Sequence, residues 1–127
     1  MKTDLHAHSI HSDGTLSPSE LLNLAKKNNI NILAITDHDD IEGSKKLIEL
    51  APKDIIVYSG VELNAKEEKG QMHILGYNID LYNEDINNRL KELKEHSKSN
   101  IMLYVEQLKN DFNIILPEDD INELLNK

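Results

Sequence analysis

Asn31-Ile32-Leu33-Ala34-Ile35-Thr36-Asp37-His38-Asp39 is an apolar run of strand length that ends abruptly in polar residues. A continuous run of this kind marks a strand buried on both faces, as in parallel sheets. Thr36 to Asp39 then places three ionisable side chains at the strand's carboxyl end. Burying such groups unpaired costs several kcal/mol each, against a folding margin of roughly 5–15 kcal/mol for a whole domain. Metal or solvent must therefore satisfy them. His38 reads as a metal ligand. Asp37 reads as a supporting group beside the ligands, and Asp39 as a loop or helix cap.

Working outward, residues 3–6 read as a short strand and residues 17–29 as a helix. Ser17 is its N-cap, Pro18 its first residue and Glu20 the reciprocal partner of a capping box. Leu21, Leu24, Ala25 and Asn28 share one face of it, with Leu22 at the border. Residues 42–50 read as a helix carrying Leu47, Ile48 and Leu50, and Asp54 to Glu62 as another buried strand. Residues 61–66 and 71–77 read as a hairpin turning around Glu67-Glu68-Lys69-Gly70. Strands alternating with helices argue an α/β fold with parallel strands, which places a ligand at the strands' carboxyl ends.

Beyond about Asn83 the pattern turns helical. Ile86, Leu90, Leu93, Ile101, Tyr104, Val105 and Leu108 follow one long amphipathic stripe that Ser97 interrupts, and Pro117 to Asn126 reads as a shorter helix. Residues 1–82 and 83–127 are therefore expected to be distinct parts. Three parallel strands and a hairpin make a thin sheet with an open edge. The expectation is completion by a larger fold or by another chain, including a second copy.

The donors cluster. Asp4, His6 and His8 alternate along the first strand, so all three are expected on one face. His6 and His8 can grip an ion, and Asp4 can accept an imidazole N–H and fix its tautomer. Asp13 sits in a Ser12-Asp13-Gly14 turn, where an ordinary Asp-Gly turn is the alternative. Glu62 follows a strand and a glycine, and its two oxygens could bridge two ions. His73 lies on the second arm of the hairpin, able to fold back towards Glu62. His11 is a weaker ligand candidate, and His96 on the long helix is expected to be solvated. Imidazole with carboxylate suits zinc, manganese or iron. His6, His8, Asp13, His38, Glu62 and His73 are too many for one tetrahedral ion. They fit two with open positions, which could hold a bridging hydroxide for an in-line phosphoryl displacement.

Composition narrows the class. With 127 residues, 39% apolar and 29% charged, the chain is long enough for one globular domain. It has no cysteine, which excludes disulfides, thiolate metal sites and cysteine nucleophiles. Net charge is -9 and Arg89 is the single arginine, so duplex DNA is not an expected partner, whereas a small phosphate ester is. No apolar run approaches the roughly 20 residues of a membrane span, so no membrane partner is expected and the cytoplasm is the expected compartment.

Asp4-x-His6-x-His8-Ser9, Ser12-Asp13-Gly14, Pro18-x-Glu20-Leu21, Thr36-Asp37-His38-Asp39, Gly60-Val61-Glu62 and Met72-His73-Ile74-Leu75-Gly76-Tyr77, in this order, resemble the PHP (polymerase and histidinol phosphatase) family. The likeness is greatest to bacterial stand-alone phosphoesterases that act on nucleoside 3',5'-bisphosphates and short RNA 5' ends. It runs over residues 1–80 and more loosely over 83–127, where that branch carries a helical insertion. The resemblance implies a distorted (β/α)7 barrel, here incomplete, and a centre of two or three Mn, Zn or Fe ions. It implies that His6, His8 and Glu62 hold one ion, Asp13 and His38 a second, and Glu62 and His73 a third. The family's later ligands, a histidine beyond the insertion and an Asp-x-His near the C-terminus, have no counterpart in this sequence. The expectation is an amino-terminal piece of about half the usual length, catalysing metal-dependent phosphate monoester hydrolysis in its longer form. Histidinol phosphatase, a polymerase-associated domain, a metal-binding module without turnover and a TatD-like nuclease are the alternatives.

Overall fold

The computed structural model describes residues 1–67 and 70–126. The tip of the expected hairpin turn, Glu68-Lys69, lies outside the described residues. The chain divides into two compact units, Met1–Asn83 and Glu84–Lys127.

The first unit runs β1 (Lys2–Ala7), α1 (Pro18–Lys27), β2 (Ile30–Ile35), α2 (Glu42–Leu50), β3 (Ile56–Tyr58), β4 (Gly60–Glu67) and β5 (Gly70–Tyr77). Strands β1, β2 and β3 form a parallel sheet in that order, and β4 and β5 form an antiparallel pair. The fold is mixed α/β with a parallel sheet, as the alternating pattern requires. Helices α1 and α2 pack on each other and on β2. Leu22, Ala25, Leu33, Ile35, Leu47 and Ile55 form the core between them.

Helix α1 begins where the capping box places it. The Ser17 hydroxyl accepts the Glu20 N–H at 3.3 Å, and the Glu20 carboxylate accepts the Ser17 N–H at 2.8 Å. This pairing satisfies two of the otherwise orphaned amides of a helix start. Its buried face is centred on Leu22 and Ala25, each 5% exposed, and not on Leu24, which is 46% exposed. Leu21, Leu24, Ala25 and Asn28 line an open groove beside β1. In α2, Leu47 is fully buried while Ile48 and Leu50 remain exposed.

The expected strand 54–62 is two strands. Ile55 donates to the Pro52 carbonyl in a turn, β3 pairs with β2, and Ser59 separates β3 from β4. After that break the chain crosses close to β2. A Cβ on Gly60 would lie 2.7 Å from the Ile35 carbonyl oxygen, so only glycine permits the approach. The approach creates a parallel bridge between His38 and Glu62.

Strand β1 holds a register shift between Asp4 and Ala7. Asp4 pairs with Leu33 and Ala7 with Ile35, both core residues on the helix side. The extra residue is a β-bulge, and it breaks the strict alternation of side chains. Asp4 consequently lines the groove beside α1 and does not share the face of His6 and His8.

The second unit is helical: α3 (Glu84–Phe112) and α4 (Glu118–Leu125), packed on each other. Helix α3 continues through Ser97 without interruption. Tyr104, read as part of its apolar stripe, is 65% exposed. No helix among the described residues is long and apolar enough to cross a membrane.

Candidate metal centre

Four elements and one loop converge at the carboxyl end of the parallel sheet. β1 and the residue after it bring His6 and His8; the loop that follows brings Asp13. The end of β2 brings His38, β4 brings Glu62 and β5 brings His73. On the hairpin, Glu62 is opposite Leu75 and Asn64 is opposite His73, so Glu62 and His73 are diagonal neighbours on one face.

Glu62 is the hub. It is 3% exposed, and both carboxylate oxygens are engaged. Oε2 is 2.8 Å from His6 Nε2 and 2.9 Å from His8 Nε2, and Oε1 is 2.8 Å from His73 Nδ1. The other nitrogen of His8, Nδ1, is 2.7 Å from Asp13 Oδ1. His38 Nε2 stands 3.9 Å from both Asp13 Oδ2 and Glu62 Oε2, too far to hydrogen-bond and near enough to share an ion. Its buried Nδ1 has no hydrogen-bond partner among the described residues. Ring centroids of His6 and His8, His8 and His38, and His38 and His73 are 5.1, 4.6 and 4.9 Å apart.

Burial pushes the Glu62 carboxyl up, but the hydrogen bond from His6 and the charges of His38, His6 and His8 outweigh it and hold the group below the ordinary glutamate range. Burial likewise raises Asp13, and the His8 hydrogen bond with the charges of His8 and His38 overcomes it to give a net lowering. Ionised carboxylates packed against imidazoles form an acceptor-rich cluster suited to a cation.

All six ligand candidates are brought together. Their donor atoms fall into three groups among the described residues: His6, His8 and Glu62; His8, Asp13 and His38; His38, Glu62 and His73. The partition implied by the family resemblance differs in two places, since His8 also reaches the Asp13–His38 group and His38 the Glu62–His73 group. Imidazole and carboxylate donors at this spacing suit divalent metal ions. His11 is outside these groups, and its N–H donates to Ser9 Oγ at 3.2 Å. His96 is exposed on α3.

Asp4 departs from its expected role. Asp4 accepts the main-chain N–H of His6 at 3.3 Å, not an imidazole. Asp39, with φ of 49°, caps no helix; it accepts the Asn64 N–H and side-chain amide at 3.1 and 2.8 Å and so secures β4. Asp40 instead accepts the Glu42 N–H at the start of α2. Sequence reasoning missed Ser44, whose hydroxyl accepts the Gly60 N–H at 2.9 Å, and Tyr77, whose hydroxyl donates to the Leu5 carbonyl at 2.8 Å. Ser44 carries no sequence signal of this role. Tyr77 could have been suspected from its place closing the Met72–Tyr77 motif.

Comparison with known proteins gives a consistent picture. The family model of the PHP domain matches residues 4–116. A 5'-3' exoribonuclease of Haemophilus influenzae is 43% identical over 81 residues, covering 62% of this chain and 29% of that protein. A 3',5'-nucleoside bisphosphate phosphatase of Chromobacterium violaceum is 34% identical over 93 residues, covering 72% of this chain and 33% of that one. The structure of a candidate metal-dependent phosphoesterase from Bifidobacterium adolescentis superposes with a TM-score of 0.84 at 26% identity, over 100% of this chain and 44% of its own. The chain thus spans about a third of the length of these curated relatives.

Proposed function

The chain belongs to the PHP domain family, whose model spans residues 4–116, and from that premise we propose that His6, His8, Asp13, His38, Glu62 and His73 form part of a metal-dependent phosphoesterase centre. The observation that carries the reading is Glu62: a carboxylate 3% exposed, with three imidazole nitrogens at 2.8–2.9 Å from its two oxygens. A core has no use for that arrangement, and a cluster of two or three Mn, Zn or Fe ions does. His6, His8 and Glu62 would hold one ion, Asp13 and His38 a second, Glu62 and His73 a third, with His8 and His38 at the junctions.

Bound ions would polarise a phosphoryl oxygen and lower the pKa of water so that it attacks at neutral pH. The chain's own residues supply placement and charge. Glu62 joins the donor groups, and the ionised state of Glu62 and Asp13 opposes the positive charge gathered there. His6 and His73, 53% and 46% exposed, leave the centre open to a phosphate monoester. The substrate we propose is a nucleotide or a short RNA 5' end. The names of the Haemophilus and Chromobacterium relatives support this class. Turnover is proposed for a longer protein that supplies the remaining ligands.

We further propose that the first unit is a segment of a distorted (β/α)7 barrel followed by a helical insertion. The order β1-β2-β3 advances one strand per βα unit in one direction, as in a barrel, whereas a doubly wound sheet reverses. Ile56 and Tyr58, 52% and 41% exposed, would then face the barrel interior.

The test is phosphate release from a nucleoside 3',5'-bisphosphate by the full-length protein with manganese, beside histidinol phosphate and a short 5'-phosphorylated RNA. Release from the nucleotide or RNA supports the reading. No release from any of them with Mn, Zn, Fe or Mg would overturn it.

A further inference from the structure

We propose that Asp37 is a positioning residue of the metal centre: its carboxylate holds the loop that carries His8 and Asp13, so that their donor atoms meet those of His38. The inference rests on the metal-centre reading above. Asp37 has no solvent exposure. Its Oδ1 accepts the Ser9 N–H at 2.6 Å and the Ser12 hydroxyl at 2.7 Å, and its Oδ2 accepts the Ser9 hydroxyl at 2.7 Å. All three donors lie between His8 and Asp13. The loop is tightened by the Ser9 carbonyl, which accepts the amides of Ser12 and Gly14 at 3.1 and 3.0 Å.

Chemistry explains the residue type. An ionised carboxylate is a pure acceptor with room for three donors, and a charged acceptor makes short, strong bonds. No lysine, arginine or histidine among the described residues pairs with Asp37, so these bonds satisfy it. Gly43, in the first turn of α2, reserves the space: a Cβ there would fall 2.1 Å from Oδ2. A helix start also favours the negative charge.

The main chain completes the device. The Glu62 N–H donates to the Asp37 carbonyl at 3.0 Å, and the Asp39 N–H donates to the Glu62 carbonyl at 2.9 Å. One residue therefore fixes the His8–Asp13 loop through its side chain and the Glu62 strand through its backbone, with His38 next in sequence. Its carboxylate belongs to none of the donor groups.

Cobalt titration of the purified chain, followed by visible absorption, tests this, with circular dichroism and metal-free melting as fold controls. The variants are Asp37→Ala, Asp37→Asn, Ser12→Ala, Asp13→Ala and Ser12→Ala/Asp13→Ala. Ser12→Ala should weaken cobalt binding about 10-fold, and Asp37→Ala towards 100-fold, the span typical of groups that orient ligands. Asp37→Asn, which keeps an acceptor for the Ser9 N–H, should fall between parent and Asp37→Ala. In the Asp13→Ala background the Ser12→Ala loss should shrink, because Ser12 acts on Asp13 both through that loop and through its hydroxyl, 3.3 Å from Asp13 Oδ1. Should Asp37→Ala not fold, Ser12→Ala and Asp37→Asn decide. Both variants folded, with the parent's affinity and spectrum, would overturn the proposal. So would a Ser12→Ala loss of the same size with and without Asp13, or a lowered metal-free melting temperature with unchanged affinity. A parent chain that binds no cobalt would overturn the metal-centre reading and this inference with it; loss confined to the variants separates the two.

Discussion

At the scale of single residues, Glu62 decides the behaviour of the site. Its carboxyl is held below the ordinary glutamate value of 4.5 in the folded chain. A group with a depressed folded pKa stabilises the fold above its unfolded value and loses that contribution as pH falls through the folded one. In metal-free protein, the urea midpoint should therefore decline below about pH 4.5 more steeply in the parent than in Glu62→Gln; equal slopes would show that Glu62 is not ionised against its imidazoles. Asp13, with its side chain 68% exposed, should add little to this trend. The six candidate donors that the structure brings together were legible in the sequence because imidazole and carboxylate cluster within a few short motifs. Asp4 was misplaced because a bulge is invisible to a period-two reading. The bond that Asp39 makes was not readable because its donor partner, Asn64, is 25 residues away and arrives only through tertiary pairing.

Elements show the same division. Helix α1 was readable to within two residues from its capping box, since Ser17, Pro18 and Glu20 act locally. Ser17→Ala should cost about 1 kcal/mol, read as a lower urea midpoint with cobalt affinity unchanged; a loss of affinity would tie the helix start to the site. The break between β3 and β4 was not readable, because it depends on how closely Gly60 approaches Ile35 and Thr36. Gly60→Ala forces a methyl against the Ile35 carbonyl and should cost roughly 1–3 kcal/mol. Unlike Ser17→Ala, it should also weaken metal binding, because the shift travels two residues to Glu62. The Leu21–Leu24–Ala25–Asn28 stripe does share one face, as its periodicity requires. Those residues line a groove, and Leu22, which the periodicity placed at the border, joins Ala25 in the core.

For the whole molecule, residues far apart in sequence meet because β1 and β2 deliver His6, His8 and His38 from their carboxyl ends and the antiparallel pair β4–β5 brings Glu62 and His73 to the same place. A site assembled from separate elements binds only the folded chain, so ions should stabilise it by mass action, about 2.7 kcal/mol at a hundredfold excess over the dissociation constant. The most direct measurement of the central claim is the number of metal ions per purified chain, taken beside His38→Ala and Glu62→Gln. The account predicts at least two ions in the parent and fewer in each variant. A parent without bound ions, or variants that carry as many as the parent, would contradict it.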